Sequence, residues 1–446
     1  MLSGGAERGS AVVDMRPTKD PQGLPDPAPN SFDPFDPFNT TSLADPYPEF
    51  ATLVRSRPVF YEPSLGYWVV SRYEDCKRVL REHETFSAVN TLSPIVAPCP
   101  HAARALVEGG FRSIPTLTNV DPPAHTRTRR IAHLAFTPRR VAQMEGFVRQ
   151  LVQRFVADRL TVGEADLVSA LTYELPALVL FEILGVPGED VDQIKVGSAD
   201  RLQFMFGRCT EAQQVATATG MAAFWRYCEA LAEDRRANPR DDFTTDLVHT
   251  NDESGAPLSQ QEVSTILFGL LLAGHVTTTN ILGNGLRRLF EHRAAWDALC
   301  ADHSLVPNAV EEILRFDSSV IHWRRQTTRA VTLSGVELPA QADVLVCLGA
   351  ANRDPGHFTD PDRFDIARAN ARDHLSFGGG AHLCLGAPLA RLQARVVLEE
   401  LTAALPSMRL IEGQTFAFMP IIGFRGPRSA LVSWDPEPNP SSSSMA

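Results

Sequence analysis

Paired cysteines are missing from this 446-residue sequence. The seven cysteines are scattered singly, and no two of them form a Cys-x-x-Cys motif: they are Cys76, Cys99, Cys209, Cys228, Cys300, Cys347 and Cys384. The odd number and the wide spacing argue against a disulfide framework and against a cysteine-based zinc cluster. They leave room for one cysteine with a special neighbourhood.

An excess of basic residues and a long hydrophobic run are also missing. The formal net charge is −11, which gives no support to nucleic-acid binding through an overall basic field. No apolar run reaches the roughly 18 residues that a membrane span requires, and the first residues lack the apolar core of a signal peptide. We therefore expect a soluble, cytoplasmic protein with neither a nucleic-acid nor a membrane partner.

The composition divides the chain into one large domain between two tails. Residues 1–40 are rich in Pro, Asp, Gly and Ser, and residues 437–446 contain a run of serines. Both compositions are typical of flexible or disordered segments. Within 41–436, β-type stretches such as 66–71 accompany longer helical patterns, one of them over 170–186. The sequence predicts a single domain that is mainly α with a minor β region.

One predicted helix is longer than the others and contains an unusual turn. Ser259 and Glu262 form a capping box at its start, and the helix could reach about His292, roughly 50 Å at 1.5 Å per residue. Its apolar middle indicates a core helix. At 273–280 it contains three consecutive threonines, which are poor helix formers and can bend a helix by bonding to backbone carbonyls. We expect a kink there.

The segment FGGGAHLCLG at 377–386 surrounds one cysteine with four glycines. The glycines at 378–380 permit positive φ angles, so the backbone can curl around the sulfur of Cys384. Pro388 suits the first turn of a following helix, which places Cys384 just before a helix N-terminus, where a thiolate is favoured. The residues alone leave three roles open for Cys384: nucleophile, redox thiol or metal ligand.

Five motifs, in this order along the chain, resemble the signature segments of the cytochrome P450 family. They are DPPAHTRTRR at 121–130, the turn with Ala273, Gly274 and Thr277, the E-x-x-R pair of Glu312 and Arg315, DPDRF at 360–364, and the cysteine segment, which matches the family's heme-ligand pattern Phe-x-x-Gly-x-His-x-Cys-x-Gly. The resemblance covers about residues 30–437. It implies the cytochrome P450 fold in a single large domain.

The resemblance implies that Cys384 is the thiolate ligand of heme b (iron protoporphyrin IX), a ligand that favours O–O bond cleavage. The two heme propionates need cationic partners. The cofactor-binding residues implied in this way are Cys384, His125, Arg129, Arg325, His374, Phe377, Gly378, His382, Gly386 and Ala273. By the same resemblance, Glu312, Arg315 and Arg363 form a buried structural ion-pair network.

The expected catalytic residues of the long helix are Thr277, Gly274 and Val276. One of them, Val276, departs from the family pattern. The resemblance implies that Thr277 holds water or oxygen by hydrogen bonds. An acid usually precedes this threonine, but here Val276 does, and its side chain cannot relay protons. His275 or a polar group of the substrate could supply another route, although His275 points about 100° away from Val276 on a helix.

The family positions also imply a substrate pocket. Its expected apolar residues are Leu92, Phe204, Met205, Leu270, Val320, Ile321, Trp323, Ile421 and Ile422. The same stretches contain Leu202, Phe206, Met419 and Phe424, with His322 and Gln203 as polar handles. This lining predicts a small-molecule substrate that is medium-sized and largely apolar or aromatic.

The expected electron donors are a separate ferredoxin and its ferredoxin reductase, since no reductase pattern follows the last strand. Ferredoxin-like proteins are acidic, and this chain is acidic overall, so we expect a local basic patch on the cysteine side. Its members would be Arg127, Arg130, Arg139, Arg140, Arg391 and Arg395. A monomer is expected.

Four functions stay open at this point. The leading one is a heme-thiolate monooxygenase that inserts one oxygen atom from O2 into an organic substrate. Val276 motivates a second, a peroxide-driven or oxidative-coupling enzyme. A heme-binding sensor without catalysis is the third. In the fourth, Cys384 is a thiol nucleophile with a histidine such as His382 as its base.

Overall fold

The computed structural model describes residues 34–251 and 255–435, and helices form most of its regular structure. The α-helices are α1 (Thr40–Ala44), α2 (Tyr47–Ser56), α3 (Tyr73–Arg81), α4 (Pro100–Glu108), α5 (Ala124–Ala132), α6 (Pro138–Arg159), α7 (Leu175–Leu184), α8 (Val191–Phe206), α9 (Glu211–Ala237), α10 (Phe243–His249), α11 (Gln260–Ala273), α12 (Val276–Glu291), α13 (Arg293–Ala301), α14 (Val306–Phe316), α15 (Leu348–Ala351) and α16 (Ala387–Ala404). Short 3-10 turns span His133–Phe136, Gly188–Asp190, His303–Leu305, Ala371–Asp373 and Gly380–His382.

The strands form three small sheets. They are β1 (Val59–Glu62), β2 (Tyr67–Val70), β3 (Phe86–Ser87), β4 (Glu164–Asp166), β5 (Trp323–Thr327), β6 (Val331–Leu333), β7 (Val336–Leu338), β8 (Asp343–Val346), β9 (Arg409–Leu410) and β10 (Leu431–Ser433). The largest sheet has the order β1-β2-β8-β5-β3, in which only β2 and β8 are parallel. The other two are β4-β10-β9 and the hairpin β6-β7. The prediction of one mainly α domain with a minor β region is confirmed.

Packing begins earlier than the predicted domain boundary at residue 41. Phe35 is only 1% exposed, and α1 begins at Thr40 with the side chain of Asn39 as its N-cap. The predicted tail 1–40 therefore includes residues that pack onto the domain. The remaining tail predictions, for 1–33 and 437–446, lie outside the described residues.

The long predicted helix is two helices, α11 and α12, separated at Gly274 and His275. The capping box of Ser259 and Glu262 starts α11 as expected. The Thr277 hydroxyl donates to the Ala273 carbonyl at 2.9 Å, a local bond that competes with the regular helical pattern. By length and composition Gln260–Glu291 could cross a membrane, but 56% of its most apolar stretch is buried inside the protein, as in the core helix of a globular domain.

The helix predicted over 170–186 is also divided. A π-helical turn spans Val168–Thr172, and α7 starts only at Leu175. Pro176 lacks a backbone N–H and fits the first turn of a helix, so it favours a new start at this point. Gly185 ends α7 with a φ of +70°, which a glycine adopts without strain.

A buried ion-pair network joins α14 to the segment that follows α15. The Arg315 guanidinium donates two hydrogen bonds to the Glu312 carboxylate, at 2.7 and 2.8 Å. The third member is Arg368, whose Nε lies 3.2 Å from Glu312 Oε2 and whose side chain is 8% exposed. The prediction of Arg363 in this role is wrong. Its side chain is 70% exposed and faces Asp365, and it contributes only its backbone carbonyl to the network.

We expect Arg368→Ala to destabilise the protein by about 3–5 kcal/mol, because it leaves part of the buried Glu312 charge uncompensated. Arg363→Ala is the matched control and should change stability by less than about 0.5 kcal/mol. Urea unfolding of both variants measures the difference. Equal losses for the two variants, or a larger loss for Arg363→Ala, would contradict this assignment.

Candidate active site

The loop before Cys384 needs glycine at two of its three consecutive glycine positions. Gly378 has a φ of +71° and Gly380 a φ of +62°. A Cβ on Gly380 would lie 2.7 Å from the carbonyl oxygen of Leu80, so α3 packs against the backbone there. Gly379 differs from the expectation, because its φ of −169° is ordinary extended backbone. The expected curl of the backbone is thus made by Gly378 and Gly380.

Cys384 lies just before α16, and the residue is exposed although the protein around its sulfur is dense enough for burial to dominate the pKa of its thiol. Burial by the surrounding protein raises the pKa of its thiol, while hydrogen bonds from the backbone N–H groups of Gly386 and Ala387 and the charge of Arg129 lower it. The predicted amide donors are therefore present, and Gly386 serves through its N–H with an ordinary φ of −83°. These donors favour the thiolate form, and a bound metal ion completes the deprotonation of a thiol ligand.

Phe377 shields the cysteine loop from one direction. Its carbonyl accepts a hydrogen bond from the Cys384 N–H at 2.9 Å, which closes the loop. The guanidinium of Arg391 lies 4.7 Å from the centre of the Phe377 ring. The role of Phe377 beside the cofactor stays a prediction.

Two buried histidines lack hydrogen-bond partners on one side of their rings. The rings of His125 and His382 lie 4.2 Å apart, and Nε2 of each has no partner. Burial lowers the pKa of His382 to about 4, and it also lowers the pKa of His125. Unpaired nitrogens of this kind are rare in a protein interior. They fit an acidic group that binds between these two rings.

Arg325 adds a buried cation to the same region. It is 2% exposed, and burial lowers its pKa to about 10, with Asp121 as a weak opposing charge. Its recorded hydrogen bonds go to the Thr91 hydroxyl and the Arg324 carbonyl, so no carboxylate neutralises it among the described residues. Arg325, like His125 and His382, has the position and the unmet pairing expected of a propionate partner.

The prediction of His374 as a propionate contact is wrong. Its Nε2 lies 3.1 Å from Glu311 Oε2, and its Nδ1 accepts from the Ser376 N–H at 3.2 Å. Both ring nitrogens are therefore already engaged. Arg391 completes this group through two hydrogen bonds to Glu311.

Arg129 bonds to the cysteine loop itself. Its Nη2 donates to the Leu383 carbonyl at 2.5 Å, and its charge lowers the pKa of the neighbouring Cys384 thiol. The structure thus gives Arg129 a position near the heme ligand, consistent with a cofactor-binding residue.

The three predicted catalytic residues, Gly274, Val276 and Thr277, lie at the break between α11 and α12. The predicted cofactor-binding residue Ala273 lies there too, and the surroundings of the four residues differ. Ala273 has an exposed surface, Thr277 and Val276 are partly buried, and Val276 packs against the hydrophobic core. Another helix approaches the backbone closely at Gly274, because a Cβ there would lie 2.8 Å from Leu180 of α7. Gly274 therefore permits helix packing at the break.

His275 faces away from the threonine. Its Nδ1 lies 2.6 Å from the Leu271 carbonyl oxygen, which requires a proton on Nδ1. Burial lowers its pKa to about 4, and its ring meets Phe181 edge-on at 6.3 Å. At neutral pH His275 is an uncharged ring held against α7, which makes it a poor substitute for the missing acid.

Several of the predicted pocket residues meet at the end of α8. Phe206 stacks with Trp323 at 6.4 Å and meets Phe424 edge-on at 5.0 Å. The Ile422 N–H donates to the Phe206 carbonyl at 2.9 Å, and Val320 pairs with Phe424 in an isolated bridge. Ile321, Ile421 and Ile422 line one partly open cavity, and the other predicted members belong to the same hydrophobic cluster: Leu92, Phe204, Met205 and Leu270.

The sequence interpretation missed two acids that hold the site together. Asp121 accepts from the Ser87 hydroxyl and the Ala88 N–H, and lies 3.8 Å from His382 Nε2. Glu311 binds His374 and Arg391, which holds its pKa at about 2. Asp121 opens the DPPAHTRTRR motif and could have been selected from it. Glu311 precedes the E-x-x-R pair, but no sequence signal distinguishes it from a surface acid.

The site combines a thiol that accepts backbone hydrogen bonds with buried cationic and imidazole groups that lack acidic partners. This combination fits a heme that is bound through the sulfur and through its propionates. Cys384 would ligate the iron, and Arg325, His125 and His382 would bind the propionates. The fold and this donor set define a heme-thiolate protein.

Comparisons with known proteins agree. A family model for cytochrome P450 matches residues 202–402. Erythromycin C-12 hydroxylase of Saccharopolyspora erythraea is 36% identical over 79% of this chain and 85% of its own. The structure of cytochrome P450 CREJ in complex with (4-ethylphenyl) dihydrogen phosphate has a TM-score of 0.85 and 36% identity, covering 91% of this chain and 99% of that one. An intact type IV self-sufficient cytochrome P450 monooxygenase has a TM-score of 0.86 and 39% identity, covering 92% of this chain and 54% of that one.

The chain belongs to the cytochrome P450 family. It is a heme-dependent monooxygenase of the bacterial type, as the prediction from the motifs stated.

We expect His125→Leu combined with His382→Leu to speed heme loss by about tenfold or more, because each substitution removes a hydrogen bond to a charged group. Transfer of heme to an excess of apomyoglobin measures the rate. His357→Leu is the control, since that half-buried ring is stacked on Tyr73 and paired with Asp373. An unchanged rate in the double variant would overturn the propionate assignment.

Proposed function

We propose that this monooxygenase acts on a medium-sized, largely apolar or aromatic molecule. The observation that supports this is the group of Phe206, Trp323 and Phe424 at the end of α8, flanked by Ile421 and Ile422. Aromatic and aliphatic walls of this kind bind apolar surface and leave few polar groups to fix orientation. The ligands named for two relatives differ in size: one relative is named for erythromycin, and the structure of another holds an aryl phosphate.

The chain's own residues set the conditions for oxygen insertion. When bound, heme supplies the oxygen activation, and a thiolate ligand favours O–O cleavage. Gly386 and Ala387 hold the sulfur of Cys384 with their N–H groups. At the break between α11 and α12, the Thr277 hydroxyl donates its hydrogen to the Ala273 carbonyl. The lone pairs of its oxygen are left to accept a hydrogen bond from a water or a bound ligand.

The second candidate is a peroxide-driven reaction, and Val276 favours it. An enzyme that receives electrons one at a time must also receive protons at the buried site. Val276 is partly buried and packs against the hydrophobic core, and His275 is neutral and bonded to Leu271. Hydrogen peroxide brings its own protons with the two oxygens, so a site without an acid can still use it.

We propose a ferredoxin with its reductase as the electron donor and a monomer as the working form. Four of the six arginines in the predicted basic patch also form ion pairs within the chain. Arg127, Arg140, Arg391 and Arg395 each pair with carboxylates of this chain. Arg130 and Arg139 are exposed, and the neighbouring Leu134 and Leu383 expose apolar surface. Exposed cations together with exposed apolar side chains suit contact with an acidic partner.

We propose a cytoplasmic location without membrane attachment. The apolar stretch that could cross a membrane by length packs mostly inside the domain, so its hydrophobic character is used in the core.

The substrate class is tested by titrating the purified heme protein with a panel of compounds and recording the change in heme spin state. Apolar and aromatic compounds should bind, and small polar compounds should not. Trp323→Ala should weaken binding by about two- to tenfold, because it removes an aromatic contact. Trp68→Ala in β2 is the control. A panel in which only small polar compounds bind, with no effect of Trp323→Ala, would reject the proposal.

Val276→Glu tests the two electron sources. If the normal route is only weakened by valine, the variant should turn over faster with ferredoxin, reductase and NAD(P)H, with less hydrogen peroxide released per product. The expected gain is about a hundredfold, the lower end of the range for a positioned proton donor. Turnover with added peroxide is the parallel measurement. Loss of both activities would instead show that Val276 shapes the substrate pocket.

A further inference from the structure

A segment before the first long helix lies across the end of α8. We call residues 35–44 the N-terminal strap. Phe35 is buried, and its N–H donates to Glu62 Oε2 of β1 at 3.0 Å. At the other end of the strap, Arg425 donates to the carbonyls of Leu43 and Ala44. The strap is therefore fixed at both ends to the sheet side of the domain.

Near its start, at Asp36 and Phe38, the strap is held by one arginine that follows α8. Asp36 lies 2.9 Å from Arg208, and the guanidinium of Arg208 lies 4.4 Å from the centre of the Phe38 ring. The two side chains of the ion pair are 34% and 39% exposed. An ion pair with this exposure is weak and is screened by salt. The fastening beside Phe35 therefore includes an ion pair that salt weakens.

The residues beneath the strap belong to the proposed substrate pocket. Gly207 pairs with Ile421 in an isolated bridge, beside the hydrogen bond from Ile422 to Phe206. A partly open cavity of about 10 Å³ lies between these residues and the strap. Its walls include Phe35, Pro37, Ile321, His322, Ile421 and Phe424. This volume is at the lower limit for a single water molecule, so no substrate group fits while the strap is in place.

His322 faces this cavity with no partner on either ring nitrogen. It is 2% exposed, and Nδ1 and Nε2 both lack hydrogen bonds. Its ring is packed between the edges of Phe35 at 6.0 Å and Phe50 at 5.4 Å. A buried imidazole without partners is unfavourable relative to a hydrated one. The closed strap leaves the His322 ring without hydrogen bonds. This raises the free energy of the closed arrangement and favours its opening.

We propose that the N-terminal strap closes an access route to the substrate pocket, and that His322 is the first polar residue that a ligand meets when Asp36 and Arg208 separate. The inference rests on the proposed function, because it takes Ile321, Ile421 and Ile422 as pocket residues. A neutral imidazole offers one donor and one acceptor. The matching ligand is an apolar molecule that carries a neutral hydroxyl or carbonyl group.

The experiment measures how fast two azoles reach the heme of the full-length holoprotein by stopped-flow absorbance. Clotrimazole is bulky and needs the strap to move, whereas imidazole is small. Asp36→Ala should speed clotrimazole binding by about two- to fivefold, the factor that corresponds to an exposed ion pair. It should leave imidazole binding unchanged. Salt should speed clotrimazole binding to the unaltered protein but not to this variant.

Two further variants give the opposite sign and the control. His322→Phe replaces an unpaired imidazole with an apolar ring, so it should stabilise the closed strap and slow clotrimazole binding. The combined exchange Asp36→Arg and Arg208→Asp should restore the original rate. Asp297→Ala breaks an exposed ion pair with Arg293 of α13, far along the chain from the strap, and should change nothing.

Equal clotrimazole rates in the unaltered protein, Asp36→Ala and the charge exchange would overturn the strap proposal. So would equal effects on clotrimazole and imidazole, since a gate must discriminate by size. Should His322→Phe fail to fold, the Asp36 and Arg208 variants still decide the question. A protein that shows no azole spectrum at all would contradict the heme site, which is a different failure from that of the strap.

Discussion

The fixed position of the cysteine loop depends on the buried carboxylate of Glu312. It binds Arg315 and Arg368 together, and Arg315 also donates to the Asn352 and Pro361 carbonyls. The side chain of Asn352 then binds the Leu375 N–H and the Ser376 hydroxyl, directly before the loop. A charge buried in α14 is thereby connected to the heme ligand through a chain of hydrogen bonds, and each link is satisfied because the next is in place.

The opposite wall of the site depends on a local failure of helical structure. The helix pair α11 and α12 is buried along most of its length, yet it separates at Gly274 and His275. Leu180 fills the space that a side chain at Gly274 would need, and the Thr277 hydroxyl takes up the Ala273 carbonyl. The packing of Leu180 against Gly274 and the hydrogen bond of Thr277 therefore both maintain the break between the two helices. The rigid proximal loop and this break are built by different interactions, so variation at Val276 need not disturb the heme ligand.

Short-range patterns in the sequence identified the elements whose chemistry is local. The Cys384 loop, the capping box at Ser259 and the threonine kink follow from neighbouring residues, and so does the mainly α fold. Long-range pairing did not follow: nothing local distinguishes Arg368 from Arg363, which lie five residues apart, and only the fold shows that one is buried and the other exposed. The prediction for His374 was wrong for the same reason, because its partner Glu311 is 63 residues away in the sequence. Of the motif residues, those whose role depends on a distant partner were the hardest to assign.

Unmet hydrogen bonding separates the histidines of this chain more clearly than burial does. His275, His374, His125, His382 and His322 are all mostly inside the protein, but the first two have partners within it. His125 and His382 lack a partner where an acidic cofactor group fits. His322 lacks one beneath the N-terminal strap, where the cofactor donor set does not extend. A protein rarely leaves an imidazole buried and unpaired, so each such ring marks a place where something other than the folded chain completes the structure.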